Sequence, residues 1–330
     1  KKVAVVGSGP SGLAVADDLN YDGHLVTIFE REDKAGGLLR YGIPNYKLEK
    51  QVLDRRIELM IQAGIEIKLN IEIGKEIQFN DLLEEFDSVV LCCGASVPRQ
   101  LKIPGEELDG VYFAVDYLKQ QTKKLFKSKY EGSEINAKNK KVLVIGGGDT
   151  GADCVGTANR QGAEVVYQYE IMPKPSLKRT EDMPWPEYPK ILKTTTSHEE
   201  GCIREWEIMT KELIGDKNKL KAIKASKVRW KKDNDGKYKL EEIKKSEFIQ
   251  DIDMVLIAVG FLHTEHDKFI NSINMRLDDY GNIFTNDNYM TNIKGVFSAG
   301  DMRTGQSLVV KAIKDGKDVA ACVDNYLMNY

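Results

Sequence analysis

The run Val3-Ala4-Val5-Val6 is unbroken and apolar and stops at Gly7, and the pattern returns at Val142-Leu143-Val144-Ile145, which stops at Gly146. A short continuous apolar run bounded by glycine predicts a strand buried on both faces. Both predicted strands, Lys2–Val6 and Lys141–Ile145, lead into helix-compatible stretches, 13–19 and 152–160, and then into second strands, 25–29 and 164–169. Elsewhere, Val52, Ile57, Met60 and Ile61 recur at helical spacing and predict an amphipathic helix over 49–63. Residues 88–93 and 254–259 read as buried strands running into Gly94 and Gly260. Residues 112–130 read as a helix leading into a polar linker, 131–139. Residues 219–245 alternate basic and apolar positions around Asp233-Asn234-Asp235-Gly236, which predicts two strands and a turn, with the lysines on a solvated face.

Between each apolar run and its helix lies G-x-G-x-x-G: Gly7-Ser8-Gly9-Pro10-Ser11-Gly12 and Gly146-Gly147-Gly148-Asp149-Thr150-Gly151. One such loop is weak evidence. Here strand, loop, helix, second strand and a closing acid occur in order twice, with Glu30 (Arg31 beside it) and Glu170 as the acids. The first glycine permits the tight turn, the second lets backbone approach a pyrophosphate, and the third lets helix and strand pack closely. The helix amino terminus offers N–H groups and a positive dipole end to phosphates, and the acid accepts from ribose hydroxyls. The expected fold class is α/β, with two Rossmann-like dinucleotide-binding domains.

The bulk numbers agree with two such domains. The 330 residues suffice for two cores. Hydrophobic content of 42 % and charged content of 30 % describe an ordinary globular chain. With 48 basic against 51 acidic residues the formal charge is −3, which argues against a nucleic-acid partner. No apolar run approaches the roughly 18–20 residues of a membrane span. The basic start, Lys1-Lys2, and the apolar run after it resemble a leader only briefly, since the glycine loop and Asp17-Asp18 interrupt it. The five scattered cysteines form no C-x-x-C pair and no cluster suited to zinc or iron–sulfur ligation, so no metal site is expected. They point to a reducing compartment, the cytoplasm or an organelle matrix.

Near the carboxyl end, Gly295-Val296-Phe297-Ser298-Ala299-Gly300-Asp301, followed by Gln306-Ser307-Leu308 and a long helical stretch, resembles the second FAD fingerprint of the glutathione-reductase-like flavoproteins. The resemblance implies that Asp301 contacts the flavin side of the cofactor and that the following helix aims its amino terminus at the pyrimidine ring. That placement suits the negative charge a reduced flavin accumulates. It assigns FAD to the first loop and leaves a nicotinamide dinucleotide for the second. The FAD domain is then discontinuous, residues 1–110 and 291–330, with a NAD domain, 111–290, inserted. Expected FAD contacts are Gly7, Ser8, Gly9, Pro10, Ser11, Gly12, Glu30, Arg31, Gly94, Ala95, Gly300, Asp301, Gln306, Ser307 and Leu308. Expected NAD contacts are Gly146, Gly148, Asp149, Thr150, Gly151, Glu170 and Gly260. Glu170 repels a 2′-phosphate, and Tyr167-Gln168-Tyr169-Glu170 contains no arginine, which favours NAD over NADP; Lys174, Lys178 and Arg179 downstream could still fold back onto a phosphate.

Narrower segments point to one branch. Gly36-Gly37-Leu38-Leu39-Arg40-Tyr41-Gly42-Ile43-Pro44, with Lys47-Leu48, resembles the flavin-contacting segment of the glutamate synthase small subunit and related electron-input modules. This adds Gly37, Leu38, Arg40 and Ile43 to the expected FAD contacts. Met183-Pro184-Trp185-Pro186-Glu187-Tyr188-Pro189 and Thr196-Ser197-His198-Glu199-Glu200 are similar to the reductase portion of NADH-type glutamate synthases. The resemblance implies that NADH reduces FAD here. Electrons would then pass to iron–sulfur clusters and FMN outside this chain, in an assembly making glutamate from glutamine and 2-oxoglutarate. The implied partners are the synthase and glutaminase portions and a cysteine-rich iron–sulfur segment upstream, so the chain reads as a piece of a larger assembly.

Hydride transfer between nicotinamide and flavin requires proximity more than an acid or base, so no catalytic residue is expected. A free-standing NAD(P)H-dependent ferredoxin-type reductase would use the same two-domain core. A non-catalytic FAD-binding redox module would not need the complete loop at Gly146–Gly151. A disulfide reductase needs a cysteine pair at the flavin, and the adjacent Cys92 and Cys93 point to opposite faces of a strand. His198 and His263 read as packed or surface residues rather than proton donors.

Overall fold

The computed structural model describes every residue except 131, 187, 188, 234, 236, 267, 268 and 330. Several expectations therefore lie partly outside the described residues: the first residue of the linker (Glu131), Glu187 and Tyr188 of the proline-rich segment, and Asn234 and Gly236 of the turn. The chain forms two compact units, residues 1–99 with 260–330, and residues 100–259.

In the first unit five parallel strands lie in the order Val296–Ser298, Ser88–Leu91, Lys2–Val6, Leu25–Glu30, Glu66–Leu69. Successive side chains alternate between faces. Val3, Val5, Val26, Ile28 and Val90 meet the helices Pro10–Tyr21, Lys50–Gln62 and Val309–Met328 on one side. Ala4, Val6, Phe29, Val89 and Leu91 meet the helix Phe79–Glu85 and the segment carrying Phe269, Ile270 and Met275 on the other. Continuous burial on both faces explains why these strands read as unbroken apolar runs.

The second unit repeats the plan. Five parallel strands run in the order Val111–Phe113, Met254–Ile257, Lys141–Ile145, Val165–Glu170, Ile203–Trp206. Helices Ala114–Leu125 and Asp149–Gln161 cover one face. The other face packs on an antiparallel sheet built from Ile208–Asp216, Lys219–Lys232, Tyr238–Glu242 and Phe248–Asp251. Along Lys219–Lys232, Lys219, Lys221, Lys227, Arg229 and Lys231 are exposed and Leu220, Ala222, Ile223 and Val228 buried; the expected alternation is interrupted where the register shifts, between Leu220 and Ala222 and between Lys224 and Ala225.

Two expectations need correction. Residues 112–130 are not one helix: Val111–Phe113 is an edge strand beside Met254–Ile257, and the helix covers only Ala114–Leu125. Two aromatics and a β-branched residue suit a sheet edge better than a first helical turn. The division into units also falls nearer the amino terminus than expected, at 99/100 and 259/260. Residues 260–290 belong to the first unit, because Phe269 stacks on Phe79 at 5.4 Å and Ile270, Met275 and Ile283 join its core. Residues 100–110 belong to the second, where Leu101, Ile103 and Leu108 pack and Pro104 O accepts the Leu213 N–H at 2.9 Å.

Candidate functional site

The two glycine loops are built alike, each within its own unit. Gly7 (φ 100°) and Gly146 (φ 120°) turn in the left-handed region and donate their N–H to Phe29 O and Tyr169 O, both at 2.8 Å. A Cβ on Gly7 would lie 2.5 Å from Cys92 O, and one on Gly146 would lie 2.3 Å from Ala258 O. Gly12 and Gly151 bring helix against loop: their Cβ atoms would fall 2.0 and 2.2 Å from the carbonyl oxygens of Gly7 and Gly146. Gly9 and Gly148 differ, since a Cβ on either meets nothing within 4 Å. The middle glycine of each loop therefore faces open space at a helix amino terminus. Neither helix, Pro10–Tyr21 nor Asp149–Gln161, has a side-chain cap there. Uncapped N–H groups with empty volume before them fit a pyrophosphate, and Pro10 in the first turn carries no N–H that would need a partner.

The closing acids also match. Glu30 Oε2 accepts Ser8 N–H at 3.0 Å and Oε1 accepts Glu32 N–H at 2.9 Å. Glu170 Oε2 accepts Gly147 N–H at 2.6 Å and Oε1 accepts Met172 N–H at 3.0 Å. Each acid thus grips the second residue of its loop and the residue two places beyond itself, which holds the carboxylate at the loop's edge where a ribose would lie. Ser8 adds its hydroxyl to Glu30 and accepts Gly36 N–H at 2.9 Å.

In the first unit the remaining predicted contacts gather around that loop. Gly37 (φ 53°) crosses it so closely that a Cβ would lie 2.9 Å from Gly9 Cα. Gly300 (φ 71°) rests on the first helical turn, where a Cβ would meet Ser11 Oγ at 2.4 Å. Its N–H donates to Asp315 Oδ2 at 2.7 Å. Asp301 Oδ1 accepts Ser307 Oγ–H at 2.7 Å, and burial pushes the Asp301 carboxyl above the ordinary aspartate range against the pull of Ser307. Leu308 precedes the helix Val309–Met328, whose amino terminus has no side-chain cap. Gly94 faces open space beside the buried Ala95.

Arg40, Arg31 and Gly260, among the expected contacts, each have protein neighbours of their own. The Arg40 guanidinium is buried, donating to Ala35 O at 3.0 Å and pairing with Asp54, so it braces the 36–43 segment, while Leu38 stays exposed and Ile43 half-buried. Arg31 pairs with Glu265 at 3.1 Å. Gly260, expected with the second nucleotide, lies in the first unit against Gln306, whose Oε1 accepts Phe261 N–H at 2.8 Å.

In the second unit Asp149 and Thr150 open the helix, and Trp206 lies beside Glu170 in the sheet. Lys174 sits over the Trp206 ring at 4.9 Å, whereas Arg179 donates into its own loop at Met183 O, 2.9 Å away. Sequence reasoning missed Gln168, whose signal was an amide inside an apolar strand: its Nε2–H donates to Gly146 O at 2.9 Å. The neighbouring cysteines divide as expected, Cys92 packing with Val5 and Leu13 on one face and Cys93 with the opposite cluster.

A chain with two such loops, one completed by a Gly-Asp turn and an uncapped long helix, has the build of a flavoprotein oxidoreductase that uses a nicotinamide dinucleotide. It belongs to the pyridine nucleotide-disulphide oxidoreductase family, whose profile matches residues 1–316. It is 47 % identical to the small chain of NADPH glutamate synthase from Bacillus subtilis, a match covering 99 % of this chain and 68 % of that protein. It is 43 % identical to the NADH glutamate synthase of Schizosaccharomyces pombe, covering 98 % of this chain and 16 % of that protein. Mycobacterium tuberculosis FprA in complex with NADPH shares the fold at a TM-score of 0.79 and 16 % identity, over 99 % of this chain and 84 % of that one. Among the described residues, no helix is long and apolar enough to cross a membrane.

Proposed function

We propose that the first unit binds FAD, that the second binds NADH, and that the chain is the electron-input portion of a glutamate synthase. Bound together, the cofactors would supply hydride transfer from nicotinamide to flavin, with the iron–sulfur acceptors, and the FMN of the synthase portion beyond them, carried outside this chain. This chain's residues hold and orient. The uncapped helix ends at Gly9 and Gly148 receive phosphates, and Glu30 and Glu170 receive ribose hydroxyls. The Ser307 hydroxyl and the Gly300 turn fix Asp301 at the flavin side, and the amino terminus of Val309–Met328 favours the negative charge of the reduced state.

The observation carrying the NADH assignment is the Glu170 carboxylate, held at the loop edge by Gly147 and Met172. A 2′-phosphate there would meet a fixed negative charge. The names of the relatives span both dinucleotides, so the measurement is direct: anaerobic titration of the FAD-loaded chain with NADH and with NADPH, following flavin bleaching. NADH is expected to bleach the flavin at far lower concentration. Replacing Glu170 with alanine should narrow the gap between the two. A wild-type preference for NADPH refutes the Glu170 argument, and bleaching by neither refutes the enzyme reading.

A further inference from the structure

The two loops differ at one place beneath their equivalent glycines. Two residues before Glu30 stands Ile28, fully buried and apolar; two residues before Glu170 stands Gln168, only 2 % exposed. Burying an amide is costly unless its hydrogen bonds are made. Both ends of Gln168 are bonded. Nε2–H donates to Gly146 O at 2.9 Å, and Oε1 faces His198 Nε2 at 3.0 Å. Thr195 N–H donates to His198 Nδ1 at 3.1 Å, which makes Nδ1 an acceptor and leaves the ring proton on Nε2, pointing at Gln168. His198 is itself buried, and its short helix, Thr196–Glu199, is fastened to the helix that the loop opens. Asn159 Nδ2–H donates to Gly201 O at 2.7 Å, and Arg160 pairs with Glu200 at 2.7 Å.

The end of this relay is one rigid peptide group. Gly146 C=O and Gly147 N–H share a plane, so fixing the oxygen fixes the hydrogen. Gln168 holds the oxygen, and the N–H donates to Glu170 Oε2 at 2.6 Å. In the first unit the residue after the leading glycine is Ser8, whose hydroxyl gives Glu30 a second bond. Gly147 has no hydroxyl to give, and the buried relay takes its place from the opposite side.

We propose that His198 is a positioning residue for the nicotinamide dinucleotide, acting through Gln168 on the Gly146–Gly147 peptide and thereby on the Glu170 carboxylate. The proposal rests on the reading of this loop as the dinucleotide site. The test uses the full FAD-loaded chain, with ferricyanide as acceptor, comparing wild type with His198→Leu and His198→Gln. Leucine leaves Gln168 Oε1 buried without its donor; glutamine restores an N–H near the position of Nε2. KM for NADH should rise about tenfold in His198→Leu, equivalent to ~1.4 kcal/mol, and fall most of the way back in His198→Gln. In both variants kcat and the flavin spectrum should stay within about twofold of wild type, because the relay ends on the Gly146–Gly147 peptide and the Glu170 carboxylate. A lowered melting temperature with unchanged KM would make His198 a packing residue and overturn the proposal, as would equal KM values for the two variants. A wild-type chain that oxidises neither dinucleotide overturns the site reading along with it, whereas an active wild type with an unmoved KM overturns this proposal alone.

Discussion

Alanine placed at Gly148 and at Gly151 should separate binding from folding within one loop. Gly148 has φ −79° and ψ −175°, an extended conformation open to any residue, and a Cβ there meets nothing within 4 Å. Losing glycine's freedom in the unfolded chain stabilises by about 0.4–1 kcal/mol, and the weaker helix-capping preference of alanine offsets a similar amount. The melting temperature of Gly148→Ala should therefore stay within about 2–4 °C of wild type. The methyl group nevertheless enters the volume before the uncapped helix. Losing two charge-assisted hydrogen bonds to phosphate, at roughly 1.5–3 kcal/mol each, should raise KM for NADH by about 100-fold or more while FAD is retained. Gly151→Ala should behave in the opposite way. Its Cβ would lie 2.2 Å from Gly146 O and 2.8 Å from Gln168 Nε2, so helix and strand must separate and the unit should melt well below wild type. Thermal melts, bound-flavin absorbance and NADH–ferricyanide kinetics on both variants decide the matter. An unchanged KM in Gly148→Ala would mean that the open space is not where the phosphates sit, and a collapsed melt in that variant would refute the stability argument.

Two further outcomes are expected. Because burial raises the Asp301 pKa above 3.8, the folded FAD-free chain binds more protons than the unfolded one between these two pKa values, so stability falls as pH rises through that window and the cost is absent below it. Asp301→Asn, which keeps an acceptor for Ser307, should melt above wild type at neutral pH in the FAD-free protein, with the difference shrinking toward zero in acid; a constant difference would remove charge burial as the cause. Cys93→Ser should retain NADH–ferricyanide activity, since Cys92 is buried with its thiol pushed far up and the two side chains lie on opposite faces; loss of activity with FAD still bound would reopen a thiol-based reaction.

How much of this was legible beforehand depended on the range of the interaction involved. Strand, glycine loop and closing acid are written in contiguous residues, because each glycine answers a local constraint: a positive φ, an approaching phosphate, a close helix contact. The doubled pattern and the Gly300-Asp301 turn were visible for that reason, and so, apart from its two register shifts, was the alternation along Lys219–Lys232. The domain boundaries were not. Phe269, Ile270 and Met275 give no local sign of which sheet they cover, and only packing against Phe79 settles that they belong to the first. Nor does the sequence show that the Arg40 guanidinium is buried and paired with Asp54, 14 residues further on. Gln168 and His198 stand 30 residues apart and appear unrelated along the chain. Tertiary structure alone makes them a pair, because a buried amide must find its partners wherever the fold brings them. By itself, the sequence determined that two dinucleotide loops exist and where each begins; which segments complete each unit, and which buried polar groups brace each loop, were decided by contacts between distant residues.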